Sequence, residues 1–175
     1  MKKIFVAIVA FCICISCNDN ATSDKGSGMR EKNIASSDIV GKAFETGDVS
    51  KIDSAVASDF IDHTDMGDKV GPDSLKAMIT VMHANFKDMK MEKVKEVADD
   101  EYVFSWMRYS GTSDGGMGMP KGPYTMNSIE VVKFNKDGKA IEHWGFMNGV
   151  EMMKMMGGQQ QSMGEPDKMD TIKSK

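Results

Sequence analysis

The strongest constraint on this chain lies between Met126 and Asn148, MNSIEVVKFNKDGKAIEHWGFMN. Apolar and polar residues alternate on both sides of Asp137-Gly138, a dipeptide that supplies the two positive-φ positions of a type I′ hairpin turn. A two-residue turn sets Phe134 opposite Ile141, Val132 opposite His143 and Glu130 opposite Gly145. On the other face it pairs Lys133 with Glu142, Val131 with Trp144 and Ile129 with Phe146. One face therefore carries Glu130 diagonal to His143 among apolar neighbours, and the other carries large aromatics. One strand pair does not say which face points inward.

The chain has 175 residues, enough for one ordinary domain with tails. Its 27% charged and 41% hydrophobic residues are the balance of a globular protein. The formal charge is −4 and no basic stripe is present, so nucleic acid has little electrostatic support as a partner and none is expected. All three cysteines, Cys12, Cys14 and Cys17, fall at the start, so the body of the chain has no disulfide and no thiolate metal site.

Lys2-Lys3 followed by the apolar run Ile4 to Ile15 has the anatomy of an export signal too short to span a bilayer. Ser16-Cys17 resembles a lipobox, with Cys14 where leucine is usual, and predicts acylation of Cys17. The expected organisation is a lipoprotein signal at 1–17, a polar Gly/Ser-bearing linker at 18–35, one domain at 36–157 and a disordered tail at 158–175. The expected location is the bacterial cell envelope, with the membrane reached through the lipid anchor only.

Within the domain, Ser36, Ser37 or Asp38 is expected to cap a helix carrying Ile39, Val40, Ala43 and Phe44, closed by Gly47. A second helix is read from the stripe Val49, Ile52, Val56 and Phe60, ending in a loop that holds Asp62, His63 and Asp65. A third opens past Pro72 with Leu75, Met78, Ile79, Met82 and Phe86 at helical spacing. From Met89 the period falls to about two. It gives strands at 89–98 and 102–110, a Gly-rich mobile loop with no phosphate-binding pattern, the hairpin, and a short helix from Val150 to Met156. Helices followed by four antiparallel strands define an α+β fold, a curved sheet packed on N-terminal helices with an apolar hollow between the layers.

The segments GDVSKIDSAVASDFIDHT, GPDSLKAMITVMHANFKDMKM, the strand running from Trp106 to Ser110-Gly111-Thr112, and KFNKDGKAIEHWGFMNG occur in one order. Together they resemble the SnoaL-like polyketide cyclase or ester cyclase group of the nuclear transport factor 2-like superfamily, over residues 36–157. The resemblance implies a cone-shaped α+β fold with a deep apolar pocket, in a group where dimers are frequent. It implies ring closure by intramolecular aldol chemistry without cofactor or metal. The family's acid/base aspartate aligns with Asn148, and an amide does not exchange protons near neutral pH.

Candidate catalytic groups are His63, beside Asp62, and the His143/Glu130 pair, because imidazole titrates near neutrality next to a carboxylate. Asp62, Met82, Phe86, Trp106, Trp144 and Asn148 are expected to line the pocket. The three histidines, His63, His83 and His143, have no metal-ligand spacing, so no metal site is expected. Two main readings follow: a cofactor-free cyclase or isomerase acting on an apolar, carbonyl-bearing small ligand, or a non-catalytic ligand- or partner-binding lipoprotein. A third, copper handling, rests on Met117-x-Met119 and Met152-Met153-x-Met155-Met156, since thioethers are soft ligands.

Overall fold

A computed structural model describes residues 24–155. In chain order the elements are α1 (Asp24–Thr46), α2 (Ile52–Ala55), β1 (Val56–His63), β2 (Lys69–Val70), α3 (Gly71–Asn85), β3 (Phe86–Ala98), β4 (Tyr102–Ser113), β5 (Gly122–Phe134), β6 (Ala140–Met147) and α4 (Gly149–Met155). The strands form one open six-stranded sheet in the order β2-β1-β6-β5-β4-β3. Every pairing is antiparallel except β1 with β6. The expected α+β class holds, with helices packed on the inner face of a curved sheet.

Curvature comes from extra residues on one strand of a pair, which bend it and increase its twist. In β3 one bulge falls between Lys87 and Lys90, where Asp88 has φ +52°, and a second between Lys93 and Lys95. A third, between Lys133 and Phe134 of β5, sets Ile141 off the β6 ladder. This last bulge corrects the expected turn. Only Gly138 (φ +66°) occupies the left-handed region, and Asp137 does not. The loop is organised instead by Asn135, whose side-chain oxygen accepts the N–H groups of Asp137 (2.9 Å) and Lys139 (3.0 Å). Phe134 therefore faces Ala140, and the bulge at Ile141 restores the register. From Lys133–Glu142 through Ile129–Phe146 each expected partner is in place.

The second helix is corrected more heavily. Only Ile52–Ala55 is helical, and Val56–His63 is a strand paired with β2 on one side and β6 on the other. The four-residue spacing of Ile52, Val56 and Phe60 is close to one helical turn and equal to two strand repeats, so period alone could not separate them. Two ladders of backbone hydrogen bonds decide for the strand. Asp62 and His63 consequently lie within β1, on opposite faces of the sheet, and not in a loop.

Helix α1 begins at Asp24, well before Ser36, so Ser36, Ser37 and Asp38 sit inside it rather than capping it. Its far end matches expectation: Gly47 turns at φ +74° and its N–H reaches Ala43 O at 2.8 Å. Two buried polar residues fasten α1 to the sheet. Ser36 Oγ donates to Gly138 O (2.6 Å), and Asn33 Nδ2 donates to Asp100 O (3.1 Å). The helix is thus tied to both hairpin turns, β3–β4 and β5–β6. Helix α3 packs Leu75 and Ile79 against Val56, Phe60, Val103, Phe134 and Ala140 to form the main core. Phe86, the expected end of the α3 stripe, starts β3 and packs edge-on to Tyr124 (5.3 Å between centroids) in a second cluster. β4 and β5 run to Ser113 and from Gly122, so the Gly-rich connection shrinks to residues 114–121. The described helices include none long and apolar enough to cross a membrane, and Cys17 lies outside the described residues.

Candidate functional site

Between the concave sheet face and helices α1 and α3 lies a cavity of about 540 Å³. Strand alternation decides what enters it. From β4 come Ser105, Met107 and Tyr109; from β5, Tyr124, Met126, Ser128, Glu130 and Val132; from β6, His143, Gly145 and Met147. β1 adds Phe60 and Asp62, α1 adds Val40 and Phe44, and α3 adds Met78 and Met82. Exposed Asp38, Lys42 and Lys93 stand at its rim. Seven lining residues are methionines (Met78, Met82, Met89, Met91, Met107, Met126, Met147), unbranched side chains that adapt to an irregular apolar guest.

One wall is polar. His143 Nδ1 lies 2.8 Å from Asp62 Oδ1, and His143 Nε2 lies 2.8 Å from Glu130 Oε2. Glu130 Oε1 accepts the Tyr109 hydroxyl at 2.7 Å. The line Asp62–His143–Glu130–Tyr109 crosses four strands, β1, β6, β5 and β4, which are adjacent in the sheet. Gly145, opposite Glu130, is part of the arrangement: a Cβ there would come within 3.1 Å of Glu130 Oε2, so the missing side chain leaves room for the diagonal His143 contact.

Electrostatics follow from this geometry. Burial pulls the His143 imidazole down, but hydrogen bonds to Asp62 and Glu130, with the attraction of both charges, outweigh it and lift the pKa to about 9. Burial pushes Glu130 up, yet the His143 hydrogen bond and charge, with the Tyr109 hydroxyl as a further donor, bring it below the usual carboxylate range. Burial and then the Glu130 charge raise the Tyr109 phenol, so it remains protonated. At neutral pH the wall is an imidazolium between two carboxylates. The imidazole sits in the middle of the line, each nitrogen directed at a different carboxylate, so these groups do not converge on one point as metal ligands would. Among the described residues no group of three His, Cys, Asp or Glu is placed to hold a metal ion.

Of the residues singled out from sequence, Asp62, Met82, Glu130 and His143 meet at the cavity. The others do not. His63 lies on the outer face of the sheet, stacked on Trp144 (4.8 Å, 16°) and held by Asp68 (3.0 Å) and Glu142 (3.2 Å). Trp144 and Trp106 are outward because strand alternation sends them away from His143 and Met107. Phe86 is core. Asn148 is exposed and caps α4, its side-chain oxygen accepting the Val150 N–H at 2.9 Å, so it stands outside the cavity lining. Met117 is exposed and Met119 packs on the second cluster, apart from the methionines of the cavity. Sequence reading missed Tyr109. Its signal was the alternation Val103, Ser105, Met107, Tyr109, all on one face of β4.

Helices packed on a curved sheet enclose an apolar cavity with one polar wall, a fold of the kind seen in nuclear transport factor 2-like structures. Solved structures share the fold. TsrD from Streptomyces laurentii superposes with a TM-score of 0.66 at 17% identity, over 74% of this chain and 98% of that one. An NTF2-like protein from Anabaena variabilis gives 0.58 at 15%, covering 67% and 87%. An LEH-like epoxide hydrolase from M. tuberculosis gives 0.59 at 12%, covering 74% and 92%. Among curated proteins none matches the chain in sequence. The sequence pattern of the SnoaL-like polyketide cyclases matches residues 38–156, well over half of the chain, and the chain belongs to that family.

The His143 shift makes stability depend on pH. A folded pKa of about 9 against an ordinary 6.5 contributes stability that is fully present below pH 6.5 and lost as pH rises through 9. Thermal denaturation should therefore show Tm falling between pH 7 and 10. In His143→Gln that part of the fall should disappear, and an unchanged slope in the variant would contradict the buried imidazolium. Asp62→Ala, which removes one partner of the buried imidazolium, should cost about 3–5 kcal/mol by urea denaturation.

Proposed function

We propose that the protein is an envelope-anchored member of its family that binds a small, apolar, carbonyl-bearing molecule in the cavity and transfers a proton there, as in a cofactor-free cyclase or isomerase. The observation that carries this reading is the Asp62–His143–Glu130–Tyr109 line on the wall of an otherwise apolar cavity. Proton abstraction next to a carbonyl needs an acceptor near the carbon and a donor near the oxygen. The Tyr109 phenol stays protonated and supplies the donor by turning from Glu130 to a ligand oxygen. Asp62 and Glu130 are the acceptors, and the His143 imidazolium keeps Glu130 ionised despite its burial. Asn148, capping α4 outside the cavity, leaves this set intact.

2-Tetralone, an apolar ketone with acidic α-protons, is a direct probe. The protein should speed exchange of those protons for deuterium, followed by NMR. Glu130→Gln and Tyr109→Phe should each slow it by about 10²–10⁴-fold, the usual worth of a positioned acid or base. His63→Ala, on the far face, should leave the rate alone. Binding without any exchange favours the non-catalytic reading; absence of binding defeats both.

Anchoring is supported by Lys2-Lys3, the apolar run and Ser16-Cys17. Mass spectrometry of the mature protein should find a diacylated Cys17 at its N-terminus, and Cys17→Ala should release it from membranes. An unmodified N-terminus at another residue would refute the anchor.

A second copy is the partner favoured by the outer sheet face. Val97, Phe104, Trp106, Ile129 and Phe146 are exposed there, and the pairings Val97–Phe104 and Trp106–Ile129–Phe146 join them into a stripe across β3 to β6. Sedimentation should give a homodimer in the wild type and a monomer in Trp106→Lys. A wild-type monomer at micromolar concentration would exclude this assembly.

A further inference from the structure

The polar wall has spent its donors. His143 Nδ1–H goes to Asp62, His143 Nε2–H and the Tyr109 hydroxyl go to Glu130, and the Ser128 hydroxyl goes to Phe146 O (3.3 Å). Ser105 Oγ donates to Glu96 at 3.2 Å. On this wall acceptor capacity is what remains, while the Ser37 hydroxyl, buried without a partner, lines the cavity from α1. Asp62 is only 4% exposed and lines the cavity, yet one oxygen alone is engaged: among the described residues Oδ2 has no hydrogen-bond partner. Two carboxylates against one imidazolium also leave the wall one negative charge in excess. A carboxylate oxygen that faces an apolar cavity without a donor gains a hydrogen bond from a guest that brings one.

We infer that Asp62 Oδ2 is the recognition point of the cavity and that the ligand docks there through a hydrogen-bond donor, a hydroxyl or a protonated amine, not through an acceptor-only carbonyl or carboxylate. The inference rests on the cavity-binding reading above and specifies it. A carbonyl compound is seated at Asp62 through its enol, or through a hydroxyl elsewhere on its frame, which leaves the carbonyl oxygen for Tyr109. The apolar body lies against the methionines, which impose little shape. Discrimination therefore falls on the head group, and a site built to pair with an O–H or N–H rejects an analogue that lacks it.

A single apolar frame with interchangeable heads tests this: 2-naphthol, 2-naphthylmethylamine, 2-acetylnaphthalene and 2-naphthoate, each titrated by calorimetry at pH 7. The naphthol and the amine should bind at least about tenfold more tightly than the ketone, and the carboxylate, repelled by the excess charge, should bind most weakly. The amine leading the naphthol would identify a cationic guest, and the reverse a hydroxylic one; either order supports the inference. In Asp62→Asn the amide oxygen keeps the His143 contact and the NH₂ turns a donor into the cavity, so the ketone should gain on the naphthol. The wild-type ranking stands alone if that variant does not fold. Ligands bound within about threefold of one another, or a leading ketone or carboxylate, would overturn the donor rule while leaving the cavity as a binding site. If none of the four binds, the cavity reading itself falls.

Discussion

The structure depends on one side chain, the His143 imidazole held between Asp62 and Glu130. Its carboxylate partners belong to strands far apart in sequence, β1 and β5, and His143 stands on β6 between them. β1–β6 is the sheet's parallel seam, brought together across some eighty residues of intervening chain. Closing such a loop costs conformational entropy before any contact offsets it. A charge-assisted hydrogen bond at each ring nitrogen stabilises the seam where it is joined. Those same bonds hold the imidazole protonated in an apolar surround, so the group that ties the sheet together is also the source of the cavity's electrostatics.

That dual role explains why polar character is confined to one patch. Burial penalises each of the three ionisable groups alone, and each is tolerated because its neighbours offset the penalty. A carboxylate standing alone among Met82, Met107 and Met126 would take up a proton instead. Asn148, which the resemblance aligns with the family's acid/base aspartate, serves the start of α4 instead, so the buried ionisable groups at the polar wall are those of the line. The helices do the rest. α1 is pinned to both hairpin turns through Ser36 and Asn33, which fixes the roof of the cavity relative to its floor.

Local features of the fold could be read from sequence. Alternation revealed β3 to β6, and helical spacing with Pro72 revealed α3. The diagonal Glu130–His143 relation followed from the hairpin register, although the turn is longer by a residue than Asp137-Gly138 implied, Lys136 to Gly138 lying between Asn135 and Lys139, with the Ile141 bulge restoring the register. Non-local features could not be read. β1 looked helical because its partner arrives only with β6. Without that pairing Asp62 could not be placed against His143, nor His63 and Trp144 be sent to the outer face. Alternation put Tyr109 on the inner face of β4, but the loop at 114–121 leaves the β4–β5 register open, so nothing local set it beside Glu130.

The two dipeptides at the seam, Asp62-His63 and Glu142-His143, have a consequence for folding fidelity. On the inner face Asp62 meets His143, and on the outer face His63 meets Glu142, so acid meets base through both sides of the sheet. Slide β1 by one residue in one direction and its side chains change faces: Asp62 then lies beside Glu142, and His63 beside His143. Carboxylate faces carboxylate and imidazole faces imidazole. A slip the other way sets Asp62 beside Trp144, parting His143 from Asp62 and His63 from Glu142. Four adjacent side chains thus act as a key for one alignment of the most distant strands in the sheet, rejecting mispaired arrangements by repulsion as well as rewarding the native one by attraction.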